Sequence, residues 1–333
     1  MVSLSINYKL VYRVSYFVYS EENKRKKKVG ADLKININIK EEIKEQLNKR
    51  TLLLDGAMGT MLQAYGLKSG ECSEEWNISH PQVVQKIHQE YIKAGADVIL
   101  TNTFGANRVK LSSFNKQNDV IEINRSAVKI AKEAINSLRE PGRKVLLAAS
   151  VGPTGKILEP YGPLSLKELH KNYKEQVAVL EKAGVDLIIL ETFYDLEEIK
   201  AALKATKENT DLMVIASMTF DKNLKTIYGV DPERAVTVLE NKGADVVGAN
   251  CGTGPEVLYK VLKIMKKVSK TYLMVEPNAG MPELLEGKVV YPASPKIMAD
   301  YTEKFVKLGL NLIGGCCGTT PLHIKTMSDK IKN

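Results

Sequence analysis

Three of the four cysteines in this chain lie where a short apolar run gives way to the start of a helix. Cys251 follows the run at 246–247, and Cys316 with Cys317 follows the run at 312–313. Both sites continue into small residues and then a proline, which can open a helix. Three thiolates that converge from two strand ends can hold one zinc ion and leave its fourth position open, as catalytic zinc sites do.

Three alternatives to a zinc site exist for these cysteines. Free cysteines are often small buried hydrophobes, neighbouring cysteines form a disulfide only with strain, and a nucleophilic cysteine needs a nearby histidine base. None of the four histidines lies at a predicted strand end. We therefore favour a metal site, and we expect Cys72, in the loop after the first strand, to take no part in it.

An all-thiolate zinc site suggests a particular kind of chemistry. Three thiolates leave the site with a net negative charge, which makes the metal a poor source of hydroxide but a good partner for a further soft ligand such as a substrate thiol. A metal-bound thiol loses its proton, whereas a free one, with a pKa of about 8.5, is mostly protonated at neutral pH. The residues therefore predict alkyl transfer to a substrate sulfur.

Carboxylates and small residues at other strand ends suggest how a substrate is held. Asp55 and Glu191 each follow an apolar run and are suited to bind the ammonium group of an amino acid. The alternative for each is a helix cap or a loop salt bridge. The backbone N–H groups of Gly56 and Ala57, helped by Ser150, are candidates to hold the substrate carboxylate.

Eight short apolar runs alternate with amphipathic helical periods along the chain. The runs do not alternate polar with apolar residues, which indicates strands buried on both faces of a parallel sheet. This rhythm predicts a single-domain (β/α)8 TIM barrel over residues 39–333, with the active site at the carboxyl ends of the strands. An open doubly wound sheet is the runner-up, but its G-x-G-x-x-G fingerprint is absent after the first strand. The runs are Leu52–Leu54, Val98–Leu100, Val145–Leu147, Leu187–Leu190, Met213–Ile215, Val246–Val247, Leu273–Val275 and Leu312–Ile313.

Local signals mark where the helices begin and end. Ser165 with Glu168, and Asp195 with Glu198, have the spacing of a capping box. Four helices are predicted to stop at a glycine two residues before the next strand. These glycines are Gly95, Gly184, Gly243 and Gly309.

Composition excludes several classes of protein. The chain has 333 residues, of which 44% are hydrophobic, yet no apolar run approaches the length of a membrane span. Four irregularly spaced cysteines do not form a secreted disulfide framework, so we expect a reduced, cytoplasmic setting. The net charge of +9 owes much to residues 24–28, and no basic stripe interleaves with aromatic residues, so no nucleic-acid partner is expected. Residues 1–38 are expected to be a disordered or non-native N-terminal extension without a signal peptide.

Several motifs together resemble the homocysteine S-methyltransferase family, and most of all the homocysteine-binding module of cobalamin-dependent methionine synthases. The similarity runs from about Thr51 to the C-terminus. The motifs are Leu54-Asp55-Gly56-Ala57-Met58-Gly59-Thr60, Thr101-Asn102-Thr103-Phe104-Gly105-Ala106, Gly152-Pro153-Thr154-Gly155, Asn250-Cys251-Gly252, Pro277-Asn278-Ala279-Gly280 and Gly314-Gly315-Cys316-Cys317-Gly318.

The resemblance implies a (β/α)8 barrel with zinc on Cys251, Cys316 and Cys317, and with the homocysteine sulfur as the fourth ligand. It implies formation of methionine by methyl transfer to that sulfur. Asn102 and Thr103 match a segment near the family's substrate, and their contacts are left open. The implied substrate contacts lie at positions matching Asp55, Gly56, Ser150 and Glu191.

The methyl donor is the least determined part of this expectation. Full-length synthases carry folate-binding, cobalamin-binding and reactivation modules that this sequence does not contain, so the donor is expected to be methylcobalamin on a separate corrinoid protein. The segment Thr101–Phe104 favours that type. The alternatives are a small-molecule donor (betaine, S-methylmethionine or S-adenosylmethionine), or a partner module that binds homocysteine without turnover. A zinc hydrolase is a further rival, but its usual histidine and carboxylate ligands are missing at the strand ends.

Overall fold

The computed structural model describes residues 39–285 and 288–332, so the expectation for residues 1–38 lies outside the described part. Ten strands occur in these residues, eight of them in one parallel sheet and two in a separate hairpin. In chain order they are β1 (Leu52–Leu53), β2 (Val98–Leu100), β3 (Leu146–Val151), β4 (Leu187–Phe193), β5 (Met213–Met218), β6 (Val246–Asn250), β7 (Tyr272–Glu276), the hairpin strands β8 (Glu283–Leu285) and β9 (Lys288–Val290), and β10 (Leu312–Ile313).

A helix follows each barrel strand, and shorter helices occupy the first two connections. The first helix, α1, precedes the barrel at residues 39–49. The short helices are α2 (Gly59–Ala64), a 3-10 turn (Ser73–Glu75), α3 (Trp76–Ser79) and α5 (Arg108–Ser112). The barrel helices are α4 (Pro81–Ala94), α6 (Val120–Ser137), α7 (Leu166–Ala183), α8 (Leu196–Lys207), α9 (Pro232–Asn241), α10 (Pro255–Val268), α11 (Pro295–Leu308) and α12 (Pro321–Lys332).

The eight parallel strands form a nearly closed barrel. Their order is β1–β10–β7–β6–β5–β4–β3–β2, and an isolated parallel bridge between Leu54 and Val98 joins the two ends. Side chains reinforce this seam, since the Leu53 N–H donates to Asp97 Oδ2 at 3.0 Å and the Leu100 N–H donates to Asp55 Oδ2 at 2.9 Å. The predicted (β/α)8 barrel and all eight predicted strands are therefore confirmed.

Helix α1 closes the amino-terminal end of the barrel. Its Ile43 and Leu47 are buried and pack with the first residues of the barrel strands, such as Leu52, Leu187 and Met213. Apolar side chains from each of the eight barrel strands thus meet in a filled interior, as in other barrels of this type. The site must therefore lie at the opposite, carboxyl end of the strands.

Most of the predicted helix boundaries are present, with one exception. The αL conformation ends α4, α7 and α11 at Gly95, Gly184 and Gly309, which have φ of 108°, 87° and 82°. Ser165 forms the expected capping box. The box predicted for Asp195 is wrong, because its side chain caps Glu197 N–H while Glu198 turns inward.

Glu198 instead holds the connection after β3. Its Oε1 accepts hydrogen bonds from the N–H and the hydroxyl of Thr154, both at 2.7 Å, and from the Tyr173 hydroxyl at 2.8 Å. Buried carboxylates need such partners, and here they are supplied by a distant loop. In the described residues, no helix is long and apolar enough to cross a membrane.

Candidate active site

A cavity of about 330 Å³ opens at the carboxyl end of the barrel strands. That volume lies at the small end of the range for small-molecule sites, which begins at about 300 Å³. Its walls come from residues at the ends of seven of the eight barrel strands. They include Asp55, Gly56, Ala57, Asn102, Ser150, Glu191, Cys251, Glu276, Cys316 and Cys317.

The three cysteines predicted as metal ligands meet at one wall of this cavity. Their sulfur atoms all lie within 4.8 Å of one another, and Cys251 Sγ is 4.0 Å from Cys317 Sγ. Two sulfur ligands about 2.3 Å from one zinc ion, at the tetrahedral angle, lie about 3.8 Å apart. Three cysteine ligands also leave one tetrahedral position for another group. The donor set and its spacing therefore fit zinc.

The backbone is constrained where it presents this site. Cys251 and Thr192 have φ of 57° and 62°, in the left-handed region that non-glycine residues seldom adopt. The Cys251 N–H donates to Glu276 O at 3.0 Å, and the Asn250 side chain donates to Thr192 Oγ1 at 2.7 Å. Such strain is characteristic of functional sites held in place by their surroundings.

The cysteines are not equivalent in their protonation. Hydrogen bonds from the Cys251 thiol and then from the Cys316 thiol lower the pKa of Cys317 to about 3. In the same cluster the hydrogen bond with Cys251 raises the pKa of Cys316. These hydrogen bonds therefore favour the thiolate form of Cys317, which is the form that binds a metal.

Cys72 lies apart from the cluster, as expected. It is buried, its Sγ is 3.5 Å from Glu74 Oε2, and burial raises its pKa to about 12. Cys72 is also not one of the cysteines whose sulfur atoms are close enough to share a metal ion among the described residues.

Asp55 lines the cavity and also supports the fold. It is 3% exposed, and its Oδ2 accepts the Leu100 N–H. Burial raises the pKa of Asp55 well above its usual range, and the nearby carboxyl of Glu191 raises it further. A cation placed beside Asp55 would stabilise its ionised form.

Glu191 is oriented by two neighbours. Ser150 Oγ donates to Glu191 Oε1 at 2.5 Å, and Asn250 Nδ2 donates to Glu191 Oε2 at 3.3 Å. Burial raises the pKa of Glu191 to about 7, against the hydrogen bond from Ser150, which lowers it. The Ser150 hydroxyl, which the sequence assigned to the substrate carboxylate, thus serves Glu191 in this structure.

The segment after β1 is packed tightly behind the cavity. The Ala57 N–H donates to Thr319 Oγ1 at 3.0 Å, and the Ala57 carbonyl accepts the Tyr91 hydroxyl at 2.8 Å. A Cβ on Gly56 would lie 2.8 Å from both Thr319 Oγ1 and Tyr91 Cε1, so only glycine fits there. Substrate carboxylate binding by Gly56 and Ala57 stays a prediction.

Asn102 and Thr103 have different positions relative to the cavity. Asn102 lines it, and its side-chain Nδ2 donates to Ser73 O at 2.8 Å, which ties the first two connections together. Thr103 is fully buried and does not line the cavity. Its hydroxyl donates to Ser150 O at 2.7 Å. Their contacts with substrate stay predictions.

Glu276 is a cavity residue that the sequence analysis did not assign. It ends β7 and is 3% exposed, and its Oε2 has no hydrogen-bond partner among the described residues. Burial raises the pKa of Glu276 well above its usual range, followed by the charges of Glu191 and Asp55. Its place at a strand end was visible in the sequence, but its burial and its lack of a partner were not.

The site and the fold agree with comparisons against known proteins. Residues 52–331 match the homocysteine S-methyltransferase family. This chain belongs to that family.

Two similar proteins are both methionine synthases. The chain is 32% identical over 304 residues to that of Mycobacterium tuberculosis strain H37Rv and 31% identical over 299 residues to that of Mycobacterium leprae. These alignments cover 88% and 86% of the chain but only 25% of each relative, so the chain spans about a quarter of their length.

A similar solved structure supports the barrel fold. The metallated form of the homocysteine methyltransferase MmuM from Escherichia coli superposes with a TM-score of 0.72 at 24% identity. It covers 84% of this chain and 96% of the MmuM chain. At this identity the likeness supports the fold alone.

Proposed function

We propose that this barrel transfers a methyl group to the thiol of homocysteine, forming methionine, with zinc held by Cys251, Cys316 and Cys317. The observation that supports this most strongly is one small cavity with a three-cysteine cluster at one wall and buried carboxyls beside it. Homocysteine has the matching groups, a thiol at one end and an ammonium at the other.

The chain's own residues hold and orient the substrate in this proposal. Asp55 and Glu191 face the ammonium group, and Ser150 fixes Glu191 through its hydrogen bond. Anchoring the amino-acid end directs the thiol towards the cysteine wall. Fixing both ends in one geometry lowers the entropic barrier to the reaction.

Zinc, when bound, would supply the positive charge that keeps the substrate sulfur deprotonated. In the overall reaction the S–H bond breaks and its proton passes to solvent. The sulfur forms a bond to the methyl carbon, and the bond between methyl and donor breaks with its electron pair left on the donor.

The donor we propose is methylcobalamin on a separate protein. Support comes from the Thr101–Phe104 motif and from the similarity to two methionine synthases, of which the chain matches about a quarter. A donor attached to a protein requires a surface on which that protein can dock beside the cavity. Such a docking surface is expected to expose more apolar side chains than the rest of the molecule does.

Exposed apolar side chains lie at the carboxyl end of the barrel. In the part of the chain that the structure describes, all fourteen large exposed apolar residues lie in strand-to-helix connections or in the first three residues of the helix that follows. None lies in the helix-to-strand connections at the other end. Concentration of exposed apolar surface on one face indicates an interaction site.

Eight of these residues belong to the connections after β3, β5 and β7, which we call the apolar rim (residues 152–165, 219–231, 277–285 and 288–294). The side chains of these eight residues are 54% to 90% exposed. The described parts of the three connections carry four lysines and four acidic residues, so the rim lacks the positive excess of the whole chain. A near-neutral apolar surface fits a protein better than a polyanion. The rim includes Ile157, Tyr161, Ile227, Tyr228, Leu284 and Leu285.

A second copy of this chain fits the rim less well than a carrier protein does. Two copies that met through the rim would turn their cavities towards each other and close both against a donor. A carrier that presents its methyl group at the cavity mouth has no such conflict. We therefore assign the rim to the methyl-carrying protein.

A panel of methyl donors tests the proposed function. Zinc-loaded protein and homocysteine are mixed with methylcobalamin, a methylated corrinoid protein, betaine, S-methylmethionine or S-adenosylmethionine, and methionine is measured. We expect the methylated corrinoid protein to be the best donor. Methionine formed only from a small sulfonium or betaine donor would overturn the donor assignment, and no methionine from any donor would overturn the activity.

Variants of the rim test the docking surface. The carrier used is a methylated corrinoid protein that has no homocysteine methyltransferase activity of its own. Ile227→Asp combined with Leu284→Asp should raise the carrier concentration needed for half-maximal rate at least tenfold. Arg139→Glu, which changes charge on the opposite face, should not. An unchanged carrier dependence in the rim variant would refute the docking surface.

A further inference from the structure

Three carboxyl groups from the carboxyl ends of barrel strands line one small cavity. Asp55 follows β1, Glu191 lies near the end of β4 and Glu276 ends β7. The cavity has no lysine or arginine among its described lining residues. Asp55 and Glu191 already accept hydrogen bonds from protein groups. Glu276 Oε2 accepts none from the described residues, although the side chain is 3% exposed.

A buried carboxylate oxygen without a partner is unfavourable unless a ligand supplies the missing donor. The space for this side chain is also built into the fold. A Cβ on Gly314 would lie 3.2 Å from Glu276 Cγ and 2.8 Å from Leu54 Cβ, so the absence of a side chain at Gly314 makes room for Glu276. The fold thus makes room for the Glu276 carboxyl in the cavity wall, but the described residues provide no hydrogen-bond donor for its Oε2.

An α-ammonium group carries three N–H donors, as a lysine ammonium does. Two carboxylates, Asp55 and Glu191, leave one of these donors without an acidic acceptor. Glu276 lines the same cavity and has a free acceptor oxygen among the described residues. The three carboxyls together match the three donors in number, and their negative charge is opposite in sign to that of the ammonium.

We infer that Glu276 is a third acceptor for the substrate ammonium, and that it makes the cavity selective for an amino-acid thiol over a thiol without an amino group. This inference rests on the proposed function, because it assigns a role to Glu276 towards homocysteine. It concerns binding and specificity, whereas the cysteine cluster deals with the sulfur.

Glu74 provides a matched control. It is also a buried carboxyl that lines the cavity, at 5% exposure. Its oxygens are occupied, since Oε1 accepts the Gly105 N–H at 2.7 Å and Oε2 accepts the Ser73 hydroxyl at 3.0 Å. Glu74 therefore has a structural role, and its replacement should not alter ligand preference.

The test compares two ligands that differ only in the amino group. Homocysteine and 4-mercaptobutanoate are titrated by calorimetry into zinc-loaded wild-type protein, Glu276→Gln and Glu74→Gln, with zinc content measured for each. Glutamine keeps the size of the side chain and removes its charge. We expect Glu276→Gln to weaken homocysteine binding at least tenfold and to change 4-mercaptobutanoate binding by less than threefold.

The outcomes separate the inference from the proposed function. Equal weakening of both ligands in Glu276→Gln would show a structural role and overturn the inference, as would an unchanged preference for homocysteine. If Glu74→Gln lost the preference for homocysteine to the same extent, any cavity carboxyl would produce that preference. This result would also overturn the inference. If wild-type protein bound neither thiol, the proposed function itself would fail.

Discussion

His88 makes the stability of this protein sensitive to acid. It lies on α4, which packs against α6 and α12, and it is fully buried. Neither ring nitrogen has a hydrogen-bond partner among the described residues. Burial lowers the pKa of His88 to about 4, from an ordinary value of 6.5. The ring is therefore neutral in the folded protein and becomes protonated more readily when the chain unfolds.

The sign and size of the effect follow from this difference in pKa. Between pH 4 and pH 6.5 the unfolded chain binds more protons at His88 than the folded protein does, so stability falls as the pH falls through that window. A shift of about 2.5 pKa units corresponds to about 3 kcal/mol, of which about 2 kcal/mol is lost between pH 7 and pH 5. Above pH 6.5 the residue contributes almost no pH dependence.

Replacement of His88 by leucine, which has a similar volume, removes the titrating group. The free energy of unfolding is measured by urea denaturation from pH 5 to pH 7.5, with a chelator in all samples. Wild-type protein should lose about 2 kcal/mol more than His88→Leu between pH 7 and pH 5. The same replacement at exposed His80 serves as the control. Parallel pH profiles for wild type and His88→Leu would refute the reasoning.

Other predictions concern the site. Purified protein should bind about one zinc ion per chain through its cysteines; metal analysis should show loss of zinc in the Cys316→Ala/Cys317→Ala double variant and retention in Cys72→Ala, and full occupancy in the double variant would contradict the metal site. Ser150→Ala should weaken homocysteine binding about tenfold in calorimetry, because a hydrogen bond to an ionised group such as Glu191 contributes about 1.5–3 kcal/mol; unchanged affinity would remove it from the site. Homocysteine binding at pH 7 should release close to one proton per site, and less above pH 8.5, because a free thiol has a pKa of about 8.5; titration in buffers of different ionisation enthalpy measures this release, and its absence would show that the sulfur binds protonated.

The barrel and the cysteine cluster were predictable because their signals are local. Each strand is an apolar run, and in a (β/α)8 barrel the carboxyl ends of all strands lie at one face. Cys251, Cys316 and Cys317 stand directly at such ends, so the fold alone brings them together. The glycines that end α4, α7 and α11 are equally local signals.

The features that the sequence analysis missed depend on contacts between distant segments. Glu198 has capping-box spacing with Asp195, but Thr154 and Tyr173 offer its carboxylate better partners from elsewhere in the fold. The hairpin of β8 and β9 follows β7 without a strong strand signal. The role of Glu276 depends on what surrounds its carboxyl, which spacing along the chain does not reveal.

The seam between β1 and β2 couples ligand binding to the integrity of the barrel. Only one backbone bridge joins these strands in the described part of the chain, and the Asp55 side chain adds a hydrogen bond across the seam to the Leu100 N–H. The same carboxyl faces the cavity. A ligand that binds the Asp55 carboxylate therefore binds the same group that accepts a main-chain N–H in the barrel wall, and alters the charge distribution at that acceptor. The Leu100 amide is a natural spectroscopic reporter, whose chemical shift and hydrogen-exchange rate would register occupancy of the cavity without any label on the ligand.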